Sequence, residues 1–219
     1  MAALIAEPAR ALMLDALMDG TARRAGDLAL RAGVAPSTAS GHLARLVQAR
    51  LVTVDSAGRE RHYRLASQAV AEALESLSRI ASPPEVRSLR GADEAEALAV
   101  ARTCYDHLAG RLGVRLTAAL VERAVLVPRD GSYELGPHGE ATLVEIGVDL
   151  PGAQASRRSF ARHCLDWTER RPHLAGALGA ALADALLERR WVERRPRDRG
   201  LRVTTTGAHE LHRLGVDLS

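Results

Sequence analysis

The chain has 219 residues, 47% of them hydrophobic, which is enough to bury a sizeable core in one or two domains. Its two cysteines exclude a disulfide framework, and the absence of any run of about 18 apolar residues excludes a membrane span. The N-terminus carries Glu7 and Asp15 instead of the basic and then apolar residues of a signal peptide, so we expect a protein of the reducing cytoplasm.

All 30 basic residues are arginine, against 27 acidic residues, which leaves a formal charge of only +3. Guanidinium groups bind phosphate and guanine in a bidentate manner, so this choice agrees with nucleic-acid binding. The arginines are spread along the whole chain, however, and a GC-rich genome whose codons replace lysine explains that spread better. Local charge is therefore the more informative signal.

The chain is predicted to begin with an amphipathic helix over residues 4–18. A short helix over residues 26–32 follows and ends at Gly33, where a residue without Cβ can adopt the positive φ of a sharp turn. The next helix begins at once, with Pro36 in its first turn, where proline is tolerated. This spacing predicts a helix-turn-helix.

The second helix of this pair has two different faces. Leu43, Leu46 and Val47 form an apolar stripe at helical spacing, which predicts packing against a core. The other face carries short or hydrogen-bonding side chains suited to base edges and phosphates, namely Ser37, Thr38, Ser40, Gly41, His42 and Arg45. This helix is the predicted recognition helix.

A basic β-hairpin is predicted directly after the recognition helix. Residues 51–54 and 62–65 form its strands around a turn at residues 55–58, and Arg59, Arg61 and His62 lie near its tip. Helix, turn, helix and basic hairpin together predict a winged helix-turn-helix that binds double-stranded DNA. A degenerate winged helix used only for protein contacts is the alternative, and the polar, basic recognition face argues against it.

An ordered set of motifs over residues 1–80 resembles the ArsR family of bacterial winged-helix regulators. The resemblance implies a homodimeric, usually repressing, DNA-binding protein, with the helix over residues 37–45 in the major groove and the wing along the phosphates. The matching residues are Pro8 and Arg10 before an apolar helix, then Ser40, His42, Leu43 and Leu46, and finally Leu51, Val52, Gly58, Arg59, Tyr63 and Leu65.

A symmetric dimer is expected because one winged helix covers one half-site, and two half-sites about 34–36 Å apart require two reading heads. The predicted dimer elements are the helices over residues 4–18 and 67–80. Their apolar faces carry Leu12, Leu17, Leu74 and Leu77.

A linker is predicted over residues 81–93, where Pro83 and Pro84 cannot continue the preceding helix and Gly91 adds a second break. The region that follows, residues 94–219, contains an internal repeat of about residues 101–150 and 161–218. ARTCYD at residue 101 returns as ARHCLD, HLAG at residue 107 returns before a similar helix, and GVDL at residue 147 returns near the end. The offsets are 60, 66 and 68 residues, which indicates a six-residue insertion at 167–172 and two extra residues in the later hairpin.

Each copy is predicted to run helix, helix, hairpin, helix, as a degenerate winged-helix unit, and the two copies are expected to pack as a pseudo-twofold pair. The predicted fold class is therefore mainly α with small β-hairpins. The hairpin of the second copy is rich in arginine, which favours either contact with phosphate or, as the better explanation, a solvated charged face. Its arginines are Arg189, Arg190, Arg194, Arg195, Arg197, Arg199 and Arg202.

The known metal sites of the ArsR family use cysteines on the first helix of the helix-turn-helix, or an Asp/His/His/Glu set on the helix after the wing. Neither set is present, since residues 26–32 contain no cysteine or histidine and residues 67–80 contain no histidine. The remaining soft ligands are Cys104 and His107, placed i, i+3 on a predicted helical face, and His163, Cys164 and His173 in the second copy.

If the copies pair symmetrically, Cys104 and Cys164 approach one another, and with His107 they are the candidate metal ligands. Thiolate and imidazole suit zinc, copper(I), a trivalent metalloid or heme. The alternative is that both cysteines pack as small hydrophobic residues.

Three of the six aromatic residues, Tyr105, Phe160 and Trp167, lie close to these cysteines in the sequence and, with neighbouring His107, Asp106 and Asp166, predict a pocket for a small organic effector. The alternative is that these aromatic residues form the core of a helical domain, and this explains them better.

Three classes of function remain. An effector-responsive DNA-binding repressor agrees best with the pattern, and a constitutive or partner-controlled DNA-binding protein without a small ligand is the alternative. A Cys–His pair on one helix without oxyanion donors is poor support for catalysis, so no enzymatic activity is expected.

Overall fold

The computed structural model describes residues 2–58, 60–80, 89–196 and 198–218. The chain divides into two compact units, Met1–Ile80 with Arg197–Arg199, and Ala81–Pro196 with Gly200–Ser219. Within the described ranges, every helix is too short or too polar to cross a membrane.

The N-terminal unit is a winged helix-turn-helix. Its small antiparallel sheet has the strand order β1-β3-β2. The elements are α1 (Ala2–Ile5), α2 (Pro8–Ala16), β1 (Arg23–Arg24), α3 (Ala25–Ala32), α4 (Pro36–Gln48), β2 (Val52–Ala57), β3 (Glu60–Leu65) and α5 (Gln68–Ile80).

Local sequence explains where the helices of this unit begin and end. The single helix predicted over residues 4–18 is wrong, because Pro8 starts α2 and the carboxylate of Glu7 caps it, accepting a hydrogen bond of 3.0 Å from the Arg10 backbone nitrogen. The turn after α3 is made by Gly33, whose φ is 65°. Leu43 of α4 has no solvent exposure, as its place in the apolar stripe predicted.

The wing is longer than the sequence predicted. The turn expected at residues 55–58 is wrong, because Asp55 pairs with His62 and Ala57 with Glu60, so the ladder continues to residue 57. Gly58, with φ 64°, begins the connection, and Arg59 lies outside the described residues. Buried Tyr63 and Leu65 alternate with exposed Arg64, which suits a strand with one solvated face, whereas Glu60 and Arg61 farther out are both exposed.

The C-terminal unit is built from the two copies of the repeat. Elements of its first half are α6 (Leu89–Val100), β4 (Arg102–Cys104), β5 (His107–Ala109), α7 (Gly110–Glu122), β6 (Leu126–Arg129), β7 (Ser132–Leu135) and α8 (Gly139–Ile146). Elements of its second half are α9 (Leu150–Ala155), β8 (Arg162–Leu165), β9 (Pro172–Ala175), α10 (Gly176–Glu188), β10 (Val192–Arg194), β11 (Leu201–Val203) and α11 (Thr205–Arg213).

The later part of the predicted linker is helical, since residues 89–93 belong to α6, while residues 81–88 lie outside the described part of the chain. Gly91 does not break the helix, because the surrounding alanine, glutamate and leucine residues are strong helix formers and one glycine costs only about 1 kcal/mol.

The predicted helix at the start of each copy is also wrong. Residues 102–109 form the hairpin β4–β5, in which Tyr105 turns the chain with φ 63° and Cys104 pairs directly with His107. The second copy forms the equivalent hairpin β8–β9, and its six inserted residues lengthen the loop. Each copy therefore runs hairpin, helix, hairpin, helix. The predicted fold class, mainly α with small hairpins and an N-terminal winged helix-turn-helix, is confirmed.

The two copies interlock around these first hairpins, because α7 packs on β9 and α10 packs on β5. Glycine lets each helix start close to the hairpin of its own copy: a Cβ on Gly113 would lie 2.5 Å from the carbonyl oxygen of Leu108, and one on Gly179 would lie 2.7 Å from that of Leu174. Across the copies, the Cβ on Gly179 would lie 3.3 Å from the Cβ of His107. The hydroxyl of Thr117 on α7 accepts a hydrogen bond of 2.9 Å from the backbone nitrogen of Leu174 on β9. Each helix thus supports the other copy's hairpin.

Candidate functional site

The recognition helix α4 presents a polar outer face. Ser37, Thr38, Ser40 and Arg45 are exposed on it. The Ser40 hydroxyl donates to the Pro36 carbonyl oxygen at 2.9 Å, which is an ordinary use of a helical serine and leaves its oxygen accessible. This face keeps the composition that direct reading of base edges requires.

His42 does not belong to that outer face. Its side chain is largely buried, and its Nδ1 accepts a hydrogen bond of 3.2 Å from the guanidinium of Arg10 and lies 3.5 Å from a carboxylate oxygen of Glu7. The same guanidinium donates to the carbonyl oxygens of Leu4 at 2.6 Å and Ala3 at 2.9 Å. The assignment of His42 as a DNA contact is therefore corrected: this histidine ties α4 to the first two helices.

The charged residues in the described part of the wing differ in whether they form ion pairs. Arg64 pairs with Asp55 at 2.6 Å, and His62, largely buried, lies 3.9 Å from Glu60. Arg61 is exposed and forms no ion pair with any described residue. Of the predicted wing contacts, Arg61 is thus the one whose described surroundings suit a phosphate, since its charge is not already neutralised.

Several arginines in and beside the hairpin of the second copy already have partners. Arg202 pairs with Glu193 across the strands, and Arg194, Arg195 and Arg199 all have partners. Arg189 lines a cavity of about 410 Å³ together with two further arginines, two glutamates and several apolar residues. These pairings agree with the charged-face explanation of this hairpin rather than with phosphate contact.

The first hairpins of the two copies bring four ligand-type side chains together. Cys104 lies across β4–β5 from His107, and Cys164 lies across β8–β9 from His173. All four side chains are buried, and one ligand atom from each lies within 4.8 Å of the others. The two sulfur atoms are 3.9 Å apart, and the two imidazole rings stack with centroids 5.1 Å apart.

A carboxylate stands behind each imidazole of this Cys2His2 cluster. Nδ1 of His107 donates to Asp106 at 3.1 Å, and Nδ1 of His173 lies 3.8 Å from Asp166. Nε2 of both histidines, and Nδ1 of His173 as well, are buried and have no hydrogen-bond partner among the described residues. In each copy, therefore, one ring nitrogen faces a carboxylate and the other is left for the cluster.

The electrostatics of the cluster favour charged ligands. The adjacent Cys104 thiol, together with the neighbouring imidazoles of His107 and His173, holds the pKa of the Cys164 thiol well below its ordinary value, although burial opposes this. Burial lowers the pKa of His107, but the hydrogen bond with Asp106 and the neighbouring Cys164 sulfur outweigh it and raise the pKa. A thiolate next to a polarised imidazole is the form in which both side chains bind metals.

The other predicted effector residues are dispersed. The ring of His163 packs against Tyr133, with centroids 4.3 Å apart, and therefore points away from Cys164. Trp167 lies under the guanidinium of Arg102, 4.5 Å from its ring centroid, and Phe160 packs against the common core. Tyr105 is the turn residue of its hairpin. Trp167 and Phe160 thus have separate packing partners, and the aromatic pocket stays a prediction.

Sequence reasoning missed the charged residues around the cluster. Asp106 pairs with Arg158 at 2.6 Å, and Asp166 pairs with Arg102 at 2.8 Å. A signal was present, because the repeated segments ARTCYD and ARHCLD keep arginine, cysteine and aspartate at identical spacing. The sequence prediction assigned both aspartates to an aromatic pocket, whereas each lies next to the histidine that follows it in its copy.

Comparison with known proteins agrees with this architecture. Residues 7–54 match the family model described as "Bacterial regulatory protein, arsR family". Over 211 residues the chain is 43% identical to the HTH-type transcriptional regulator YdfF of Bacillus subtilis (strain 168), a match that covers 95% of this chain and 93% of YdfF. The chain belongs to the ArsR family of HTH-type transcriptional regulators.

Two solved structures match part of this ArsR-family chain. NolR from Sinorhizobium fredii is 32% identical over 36% of this chain and 78% of its own, with a TM-score of 0.34. The cadmium metal-sensor CMTR from Mycobacterium tuberculosis, solved by NMR, is 31% identical over 40% of this chain and 90% of its own, with a TM-score of 0.33. The similarity to YdfF, in contrast, extends over both units.

Proposed function

We propose that this ArsR-family regulator is a homodimeric, cytoplasmic repressor whose affinity for operator DNA falls when an effector binds in the C-terminal unit. The observation that carries the proposal is the buried Cys2His2 cluster, because groups of this reactivity have no role in reading DNA and sit where two repeat copies meet. A ligand that contacts both copies binds more tightly to the conformation in which the copies are packed together. This difference in affinity shifts the equilibrium between the conformations of the regulator.

The DNA contacts proposed are Ser37, Thr38, Ser40 and Arg45 of α4 and Arg61 of the wing. They are supported by their exposure and by the family to which the chain belongs. Base-edge contacts give specificity, whereas wing contacts with phosphate add affinity for every sequence.

The dimer proposed uses exposed apolar side chains of the N-terminal unit. Leu17, one of the residues expected at the interface, is instead fully buried in the core of its own unit and cannot contribute. Leu12 of α2 and Leu77 and Ile80 of α5 remain exposed, at 40%, 45% and 81%. Apolar groups of this size left in solvent favour association with a second copy.

The experiment that tests the repressor is a two-step binding assay. An operator is first selected from a random double-stranded library with the full chain, and its affinity is then measured with a metal chelator and with added Zn²⁺. We expect the affinity to fall about 5- to 150-fold when the effector binds, the usual range of coupling between two sites. Equal affinity under all effector conditions would instead favour a constitutive or partner-controlled regulator.

Dimerisation is tested on the same protein by sedimentation at micromolar concentration. Replacing Leu77 and Ile80 with aspartate is expected to shift the dimer toward monomer. The matched control is Val144→Asp, since Val144 is 58% exposed on α8 of the other unit. A wild-type chain that sediments as a monomer would contradict the proposed assembly.

A further inference from the structure

The cluster formed by Cys104, His107, Cys164 and His173 has the composition of a closed metal site. Two cysteines and two histidines are a standard ligand set for four-coordinate zinc, and here the four arrive as one Cys–His pair from each copy. We infer that this cluster binds one zinc-class divalent ion per chain, which clips the two repeat copies together. The inference deepens the proposed function. The metal site itself does not depend on that function, but the effect of the ion on DNA affinity does.

The distance between the sulfur atoms supports an ion rather than a disulfide. Two thiolates at about 2.3 Å from a tetrahedral zinc ion stand about 3.8 Å apart, whereas bonded sulfur atoms are about 2.05 Å apart. Cys104 and Cys164 are 3.9 Å apart and are not joined. The backbone thus holds the two thiols at the separation that a shared ion requires.

The imidazoles of His107 and His173 also suit a metal ion. Each is buried with Nε2 lacking a hydrogen-bond partner, an arrangement that costs about 1–3 kcal/mol per group unless something binds there. Behind His107, Asp106 accepts a hydrogen bond from Nδ1, which is the carboxylate–histidine arrangement that orients imidazole ligands. Asp166 lies 3.8 Å from Nδ1 of His173, close by but not hydrogen-bonded to it. An ion between the four groups satisfies the buried nitrogens.

The charge balance selects a divalent ion. Asp106 is neutralised by Arg158 and Asp166 by Arg102, so the two aspartates leave no net charge beside the cluster. Two thiolates then require two positive charges, and a monovalent ion would leave a buried negative charge uncompensated. Heme does not fit, because ligand atoms within 4.8 Å of one another enclose space for a single ion only.

The test uses the full chain and Co²⁺ alone as the first probe. One Co²⁺ per chain is expected, with the absorption bands of tetrahedral Co²⁺ and of thiolate-to-metal charge transfer, and one equivalent of Zn²⁺ should displace it. Cys104→Ser and His173→Gln remove one ligand from each copy and should lose binding at concentrations that saturate the wild type. His163→Gln is the matched control, because His163 neighbours Cys164 but packs on Tyr133, and it should bind as the wild type does.

The inference is overturned if the wild-type chain binds no ion, if both ligand variants bind normally, or if the two thiols are found as a disulfide in the purified chain. Should a ligand variant fail to fold, as judged by circular dichroism, the wild-type spectrum decides, since charge transfer requires cysteine ligands. Saturation of the site without any change in operator affinity would leave the metal site standing and contradict the effector role. A chain that binds no ion but responds to another effector would contradict the metal site and leave the proposed effector-responsive repressor standing.

Discussion

Arg102 and Asp166 form an ion pair of 2.8 Å although they are 64 residues apart and neither side chain has any solvent exposure. The carboxylate also accepts from the backbone nitrogen of Gly110 at 2.7 Å, where α7 begins, and from the hydroxyl of Thr168 at 2.6 Å. Burial raises the pKa of Asp166, but the Arg102 guanidinium and these hydrogen bonds outweigh it and lower the pKa well below its usual range. The pair therefore joins the two repeat copies next to His173.

Removing one partner of this buried pair should destabilise the C-terminal unit. We expect Arg102→Met to lower the free energy of unfolding by about 3–5 kcal/mol, because it leaves the Asp166 carboxylate buried without its counter-charge. Urea unfolding followed by tryptophan fluorescence measures this unit selectively, since both tryptophans, Trp167 and Trp191, lie in it. A chelator in the buffer keeps bound metal from shifting the apparent stability.

The matched control for that variant is Arg129→Ala, which removes an ion pair with Glu134 whose side chains are 52% and 60% exposed. Such a pair contributes at most about 1 kcal/mol. Equal destabilisation by the two variants would show that the buried pair does not hold the copies together.

Asp106 should act on metal affinity through His107. Asp106→Asn keeps the shape of the side chain but weakens its hold on Nδ1 of the imidazole, and such changes behind a ligand usually cost about 10- to 100-fold in affinity. Competition between the protein and a coloured zinc chelator measures the change. Asp130→Asn, at an exposed turn, should leave the affinity unchanged, and an equal effect of both variants would contradict the positioning role of Asp106.

Arg45 should determine sequence preference, whereas Arg61 should determine salt dependence. Arg45→Ala is expected to weaken binding to the selected operator by about 1–3 kcal/mol and to relax its sequence preference. Arg61→Ala should weaken binding to all sequences and reduce the slope of log K against log salt by about 0.9, the contribution of one phosphate contact. Fluorescence anisotropy at several salt concentrations separates the two effects.

His42→Gln tests the corrected role of that histidine in the same assay. Because His42 contacts Arg10 and Glu7 rather than the outer face of α4, the variant should keep the base preference of the wild type even if its melting temperature falls. A changed preference at one operator position would return His42 to the recognition set.

The ionised carboxylate of Glu7 should stabilise the folded chain at neutral pH but not in acid. The hydrogen bond from the Arg10 backbone nitrogen lowers the pKa of Glu7 in the folded state, so the unfolded chain takes up the proton first as the pH falls below about 4.3. The stabilisation is therefore present at neutral pH and is lost as the pH falls through the folded pKa. Glu7→Gln should melt below the wild type at pH 7, and the gap should close toward pH 3. A gap independent of pH would show that the carboxylate charge contributes nothing.

The N-terminal unit was accessible to sequence reasoning because its signals are local. Helical spacing placed Leu43 and Leu46 in the core, and Gly33 marked the turn between α3 and α4. The errors there are local as well: Glu7 and Pro8 interrupt the first helix, and the wing continues beyond residue 54. His42 was assigned to the outer face because the helical pattern does not show that Arg10 and Glu7, from another part of the chain, contact its side chain.

The sequence by itself determined the winged helix-turn-helix, the repeat and the recurrence of cysteine, aspartate and histidine in both copies. It did not determine that Cys104 and His107 face each other across a hairpin, because an i, i+3 spacing suits a helical face and a two-residue turn alike. Only the tertiary structure united the two Cys–His pairs, since the contact between Cys104 and Cys164 depends on how α7 and α10 each pack on the other copy's hairpin. Packing between segments about 60 residues apart follows from the whole core, whereas periodicity reports only on neighbours along the chain.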